Sequence, residues 1–259
     1  MASLLAQLYS DTLNTSVTVN VILPDMHRES AKKMMADGKL PRVLYLLHGY
    51  CDDYSVWVRR SSIERYVEDQ YMVVVMPSVN HSIYCNEVYG EKYWDYVSEE
   101  LPQLIRQYFR VSDKPEDTYV AGLSMGGYGA MRLALTHPER FAAAASFSGL
   151  VDVAYEVSIV EGELRESWHR AMGDLSKVRG SELDLFHLLD TNANAPRKPR
   201  LYVSCGTDDI LYQHHLNFKE ALKKSTWETA VSEIPHAAHE WGFWDSEIQK
   251  FLKWALPAQ

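Results

Sequence analysis

Residues 122–126 read Gly-Leu-Ser-Met-Gly, a serine with glycine at both second neighbours. A serine hydroxyl is a weak nucleophile until it is held clear of its surroundings beside a base. A sharp strand-to-helix turn holds it so, and that turn leaves no room for side chains two residues before and two after the serine. The flanks fit such a turn. Tyr119-Val120-Ala121 is a short apolar run, and Ala130-Met131-Arg132-Leu133-Ala134-Leu135 reads as a helix, with a further glycine, Gly127, between them. Ser124 is the candidate nucleophile. The helix behind it aims unpaired N–H groups and a positive dipole end at the reacting centre. Stripped of this context, the five-residue pattern is only a glycine-rich turn.

A serine nucleophile needs a base, and the base needs a group to orient it. Parallel sheets present such groups at the carboxyl ends of their strands. Two further strand ends carry them. Cys205-Gly206-Thr207-Asp208-Asp209-Ile210-Leu211 follows one strand, and Pro235-His236-Ala237-Ala238-His239-Glu240-Trp241 lies between the last strand and the last helix. The chain order is therefore Ser, Asp, His. Spacing alone does not separate Asp209 from Asp208, or His239 from His236. His236-x-x-His239-Glu240 and His214-His215 also invite a metal reading. It fails the H-E-x-x-H pattern, because Phe243 stands where the second histidine belongs, and no third ligand is evident.

The elements that must position these residues alternate along the chain. Strands are expected at 16–23, 43–47, 72–76, 141–147, 200–205 and 228–234, besides the one leading to Ser124. Helices are expected at 63–70, 97–109, 214–224 and 245–256, besides the one following it. Segment 25–39 reads as a loop with a helical turn. Alternation of this kind implies a mostly parallel sheet covered by helices on both faces. Residues 150–199 break the rhythm and read as a lid-like insertion over the carboxyl end of the sheet, within a single domain spanning 1–259.

Composition bounds the partners. The formal net charge is −9, which disfavours nucleic acid and anionic membrane surfaces. Three widely spaced cysteines, Cys51, Cys85 and Cys205, make neither a disulfide framework nor a CxxC site and suit a reducing, cytoplasmic compartment. The N-terminus lacks the basic start and apolar run of a signal peptide, and no run is long enough to span a membrane. A homo-oligomer is compatible with the sequence.

Several stretches together resemble a known family. They are Leu46-Leu47-His48-Gly49, Gly122-Leu123-Ser124-Met125-Gly126-Gly127-Tyr128-Gly129, Cys205-Gly206-Thr207-x-Asp209-x-Leu211-Tyr212 and His239-Glu240-Trp241-x-x-Trp244, with Glu99-Glu100-Leu101-Pro102-Gln103 and Ser146-Phe147-Ser148-Gly149 also fitting. They look like the tributyrin esterase branch of the esterase D-like α/β-hydrolases, which is related to feruloyl and acetylxylan esterases and S-formylglutathione hydrolases. The resemblance is weakest in 24–40 and 155–195. It implies the α/β-hydrolase fold, with Ser124 as nucleophile, Asp209 as acid and His239 as base. Backbone N–H groups of Met125, the residue after the nucleophile, and of Tyr50, after His48-Gly49, would form the oxyanion hole. It further implies hydrolysis of short-chain acyl, acetyl or feruloyl-type esters, some of them carbohydrate-linked, without cofactor or metal. An S-formylglutathione-type thioesterase is the alternative, and an inactive hydrolase-fold binding protein the remote one.

Overall fold

The computed structural model describes residues 1–257. In chain order its elements are β1 (Ala2–Ser10), β2 (Thr15–Leu23), α1 (Glu29–Ala36), β3 (Arg42–Leu47), α2 (Val56–Arg60), α3 (Ile63–Tyr66), β4 (Met72–Met76), α4 (Tyr93–Asp95), α5 (Leu101–Tyr108), β5 (Thr118–Leu123), α6 (Met125–Thr136), β6 (Ala143–Phe147), α7 (Val153–Ile159), α8 (Gly162–Met172), α9 (Leu185–Thr191), β7 (Arg200–Gly206), α10 (Tyr212–Lys224), β8 (Thr229–Ile234) and α11 (Trp241–Ala255). The strands form one eight-stranded sheet in the order β1-β2-β4-β3-β5-β6-β7-β8. β3 to β8 run parallel, while β1 and β2 form an antiparallel hairpin whose second strand pairs antiparallel with β4. The mostly parallel sheet expected from the alternation is present.

Period-2 alternation assigns side chains to the two faces. On β3, Val43, Tyr45 and Leu47 join one core with α5, α6, α9 and α10. Leu44 and Leu46 join the other, with α2, α3 and α11. Burial on both faces explains why β3 and β4 read as unbroken apolar runs. The chain leaves β3 for β4 on one side and returns to β5 on the other. The loops after β3 and β5 therefore diverge and open a crevice at the carboxyl edge.

Several boundaries differ from the expectation. β1 went unread, because it is an edge strand with Leu4 and Leu5 exposed and carries no clean alternation. Segment 25–39 holds a full helix, α1, rather than a turn. The helix expected at 63–70 is a single short turn, with α2 before it. The helix expected at 97–109 begins as α4 and passes through a π-helical stretch, Tyr96–Glu100, before α5. Pro102 lies inside this continuous helix and offers no N–H to the preceding turn, where the Ser98 carbonyl accepts from Arg140 Nη1 instead (2.9 Å). Residues 150–199 fold into α7, α8 and α9, and α9 buries Leu185, Leu188 and Leu189 while packing on α6.

Candidate active site

Ser124 lies between β5 and α6 with φ 53° and ψ −121°, a conformation costing about 1–3 kcal/mol for a non-glycine residue. Surrounding contacts enforce it. The Ser124 N–H donates to Phe147 O at the end of β6 (3.0 Å), and the Ser124 carbonyl accepts from Leu150 N (3.1 Å) and Tyr128 N (3.2 Å). The flanking glycines are required sterically. A Cβ on Gly122 would lie 2.3 Å from Gly126 O, and one on Gly126 would lie 2.5 Å from Leu47 O and 2.6 Å from His48 O. Among the described residues 119–135, Ser124 alone is not buried. The strained turn thus lifts one hydroxyl out of a packed core, and that hydroxyl has no hydrogen-bond partner among the described residues. Behind it, the first N–H groups of α6 have no intrahelical acceptor.

The loop after β3 meets this turn. A Cβ built on Gly49 would stand 3.6 Å from Ser124 Cβ. His48 holds the loop. Val79 N–H donates to His48 Nε2 (3.0 Å), so the ring proton sits on Nδ1 and donates to Gly49 O (2.7 Å). Burial pushes the His48 pKa down, which keeps the ring neutral and preserves this tautomer. The Gly49 carbonyl and the Tyr50 N–H belong to one planar trans peptide and point opposite ways. Fixing the carbonyl therefore fixes the Tyr50 N–H, facing away from the His48 ring. The Tyr50 side chain stacks on His81 (centroids 4.3 Å apart) and its hydroxyl bonds Ser167 Oγ of α8 (2.8 Å). Met125, the other expected donor, is the first residue of α6 and is buried.

The two remaining strand ends converge. The loops after β7 and β8 are tied by Thr207 N to Ile234 O (3.0 Å), Asp208 N to Ala237 O (3.1 Å) and His236 N to Thr207 Oγ1 (2.9 Å). Across this contact His239 Nδ1 lies 2.9 Å from Asp209 Oδ1 and 3.1 Å from Oδ2. The Asp209 side chain is fully buried, and its Oδ1 also accepts the Leu211 N–H (2.8 Å). Burial alone would raise the Asp209 pKa. The bond and charge of His239, the nearby Ser148 hydroxyl and the Leu211 N–H more than offset it and hold the carboxyl below its ordinary value. Asp208 and His236, the rival pair, lie on the surface 3.5 Å apart, and His236 is 90% exposed. An Nδ1–H donated to the carboxylate leaves His239 Nε2 with its lone pair.

Ser148, which sequence reasoning registered only within a motif, links these parts. Its Oγ accepts the indole N–H of Trp244 (3.0 Å), and its hydroxyl is near enough to Asp209 to help hold that carboxyl's pKa down. Trp244 in turn meets the His239 ring edge-on, at 4.9 Å between centroids. Ser148 has φ 48°, and its N–H donates to Ser204 O (2.8 Å), so the backbone itself aims the hydroxyl. A serine just before Gly149 at a strand end was the available signal. Of the other histidines weighed, His214 Nε2 bonds Glu156 (2.9 Å), and His215 Nε2 lies 3.7 Å from Glu233.

The same arrangement of elements recurs in known proteins. A family model described as putative esterase matches residues 10–255. An acetyl esterase of Caldicellulosiruptor saccharolyticus is 28% identical over 262 residues, covering 98% of each chain. FphF, a fluorophosphonate-binding serine hydrolase of Staphylococcus aureus solved with substrate bound, superposes with a TM-score of 0.88 at 32% identity, covering 99% of each chain. The S-formylglutathione hydrolase FrmB of the same organism, solved as apoenzyme, gives 0.84 at 33% identity over 98% of each chain. No helix among the described residues is long and apolar enough to cross a membrane. With a family model spanning nearly its whole length and an α/β-hydrolase fold, the chain belongs to the esterase family, a carboxylic ester hydrolase.

Proposed function

We propose that the chain cleaves small carboxylic esters through an acyl-enzyme on Ser124, with His239 as general base and acid and Asp209 as its orienting carboxylate. The observation that carries this reading is the bond from His239 Nδ1 to the buried Asp209, made at the sheet edge that also presents the strained Ser124. His239 Nε2 takes the Ser124 proton as Oγ attacks the ester carbonyl, then delivers it to the departing alkoxide. Asp209 stays ionised and stabilises the imidazolium. The carbonyl oxygen becomes an oxyanion, for which the N–H groups of Tyr50 and Met125 are the donors, each contributing about 3 kcal/mol. Water, deprotonated by the same histidine, releases the acid. In the resting state Ser124 and His239 need not be bonded, because such contacts often tighten only with substrate bound.

The acyl group is short, in keeping with the acetyl esterase relative. Feruloyl-type and carbohydrate-linked esters belong to the same class. Helices α7 and α8 act as the lid, since Ser167 of α8 reaches Tyr50 beside the nucleophile. The free thiols Cys51, Cys85 and Cys205 fit a cytoplasmic setting. A thioesterase reading is favoured by the likeness to FrmB, and a glutathione thioester measured against an oxygen ester decides between them. The test of the main reading is burst release of p-nitrophenol from p-nitrophenyl acetate or butyrate. Native protein should show the burst, Ser124→Ala should not, and an unchanged rate in that variant would end the assignment.

A further inference from the structure

A cavity of about 310 Å³ lies beneath the face of the sheet that packs on α5 and α6. Its wall includes Val43, Tyr45 and Leu47, alternate residues of β3, so it runs along that strand for about 13 Å. Leu101 of α5 and Leu133 of α6 close it from the helix side. The exposed part of its lining, including Arg106, Asp113 and Glu139, gathers at the amino ends of β3, β5 and β6. Ser124 stands at the carboxyl ends. From Ser124 to His137, the lining residue just past α6, thirteen residues of helix span about 20 Å. This mouth and the nucleophile are therefore at opposite ends of the fold.

Two polar groups in the wall are unspent. Tyr45 is 6% exposed, yet its hydroxyl has no hydrogen-bond partner among the described residues. The hydroxyl oxygen itself touches the open space of the cavity, so it is a donor free to meet a ligand head group. Arg106 likewise has no ion pair or hydrogen bond among the described residues. It is the charge that acts on Tyr45, whose hydroxyl burial keeps neutral and able to donate. The other cations of the wall are committed. Arg140 binds Glu99 (2.9 Å), Glu139 (3.3 Å) and the Ser98 carbonyl (2.9 Å), and His137 is held neutral chiefly by burial. Asp113 is exposed at the rim and faces water.

We infer that this cavity is a binding site, separate from the esterase centre, for a small amphipathic monocarboxylate. The carboxylate accepts the Tyr45 hydroxyl and meets the Arg106 guanidinium, while an apolar body lies along β3 between sheet and helices. At about 30 Å³ per water the space equals about ten waters, so the ligand has about ten to fifteen non-hydrogen atoms. Medium-chain fatty acids and aryl-alkanoic acids meet that description.

The probe is octanoate, titrated by calorimetry into protein whose Ser124 has been capped with an organophosphonate, so that the esterase site is closed. The expected result is saturable one-to-one binding. Tyr45→Phe and Arg106→Gln should each weaken it about tenfold, the loss of one hydrogen bond to a charged head. Octanol should bind more weakly than octanoate by a similar factor. Tyr45→Phe keeps the ring and Arg106 is exposed, so both variants should fold and keep native turnover of p-nitrophenyl butyrate. Absence of saturable binding would overturn the inference. So would binding that disappears when Ser124 is capped, which would return the ligand to the esterase site, or native affinity in both variants.

Discussion

Replacing Ser148 with alanine removes a hydroxyl that accepts from buried Trp244 and lies near the Asp209 carboxylate. Trp244 is 6% exposed, and its indole N–H, now given to Ser148 Oγ at 3.0 Å, would be orphaned at a cost of about 1–3 kcal/mol. The Asp209 carboxylate would also lose a nearby hydroxyl that helps keep it ionised. The orphaned indole dominates, so a loss of about 1–3 kcal/mol is expected. In a chain of this size that lowers Tm by about 2–12 °C. The pH dependence has a definite sign. The folded-state pKa of Asp209 lies below its unfolded value, so the stability this supplies is present above the unfolded pKa and lost as pH falls through the folded one. Without Ser148 the folded pKa rises towards the unfolded one, so the stability lost to acid becomes smaller and the loss is complete at a higher pH. Ser148→Gly separates hydrogen bonding from backbone strain. It removes the same hydroxyl but relieves the φ of 48°, and should be more stable than the alanine variant by about 1 kcal/mol. Turnover should fall about tenfold in both, because His239 loses the rigidity of its carboxylate. Urea unfolding from neutral pH down to about pH 2, through the ordinary aspartate pKa of about 4, with p-nitrophenyl butyrate kinetics, reads all three effects. An alanine variant with native stability, native acid sensitivity and native kcat would refute this account of Ser148.

Other outcomes follow from the same geometry. Asp209→Asn should lower kcat by about 10⁴, because an amide holds the wrong His239 tautomer, with KM little changed in p-nitrophenyl ester kinetics. Ser124→Gly should abolish turnover yet raise stability by about 1–3 kcal/mol in urea titration, since glycine relaxes the φ of 53°. Gly126→Ala puts a methyl 2.5 Å from Leu47 O, so the strand-to-helix turn at Ser124, the elbow, and the β3 loop must part. About 1–3 kcal/mol of stability and roughly a hundredfold of kcat should be lost, and a variant with native kcat would contradict the tight packing. His48→Phe removes both partners of the Gly49–Tyr50 loop, and kcat should fall more than KM changes.

Strong local constraints were legible in the sequence. The elbow showed itself because Gly122 and Gly126 are demanded by backbone atoms a few residues away or on the next strand. Buried parallel strands such as β4 showed themselves as unbroken apolar runs, with Met72–Met76 found at its observed limits. The choice of Asp209 over Asp208, and of His239 over His236, was not local. It depends on loops after β7 and β8 that meet only in three dimensions, and only the family resemblance favoured one pair. β1 escaped notice because an exposed edge strand needs little hydrophobic patterning. The clamp on Gly49 by His48 depends on Val79, thirty-one residues on, and the cavity beside Tyr45 depends on β3, α5 and α6 failing to fill the space between them. Neither has a signature in residue spacing.

The central claim, that Ser124 is the acylated residue and His239 its activator, is tested most directly by time-resolved peptide mass mapping with an organofluorophosphonate. A single adduct on the peptide containing Ser124 is predicted, absent in Ser124→Ala and formed far more slowly in folded His239→Gln. Label on another residue, or labelling of His239→Gln at the native rate, would contradict it.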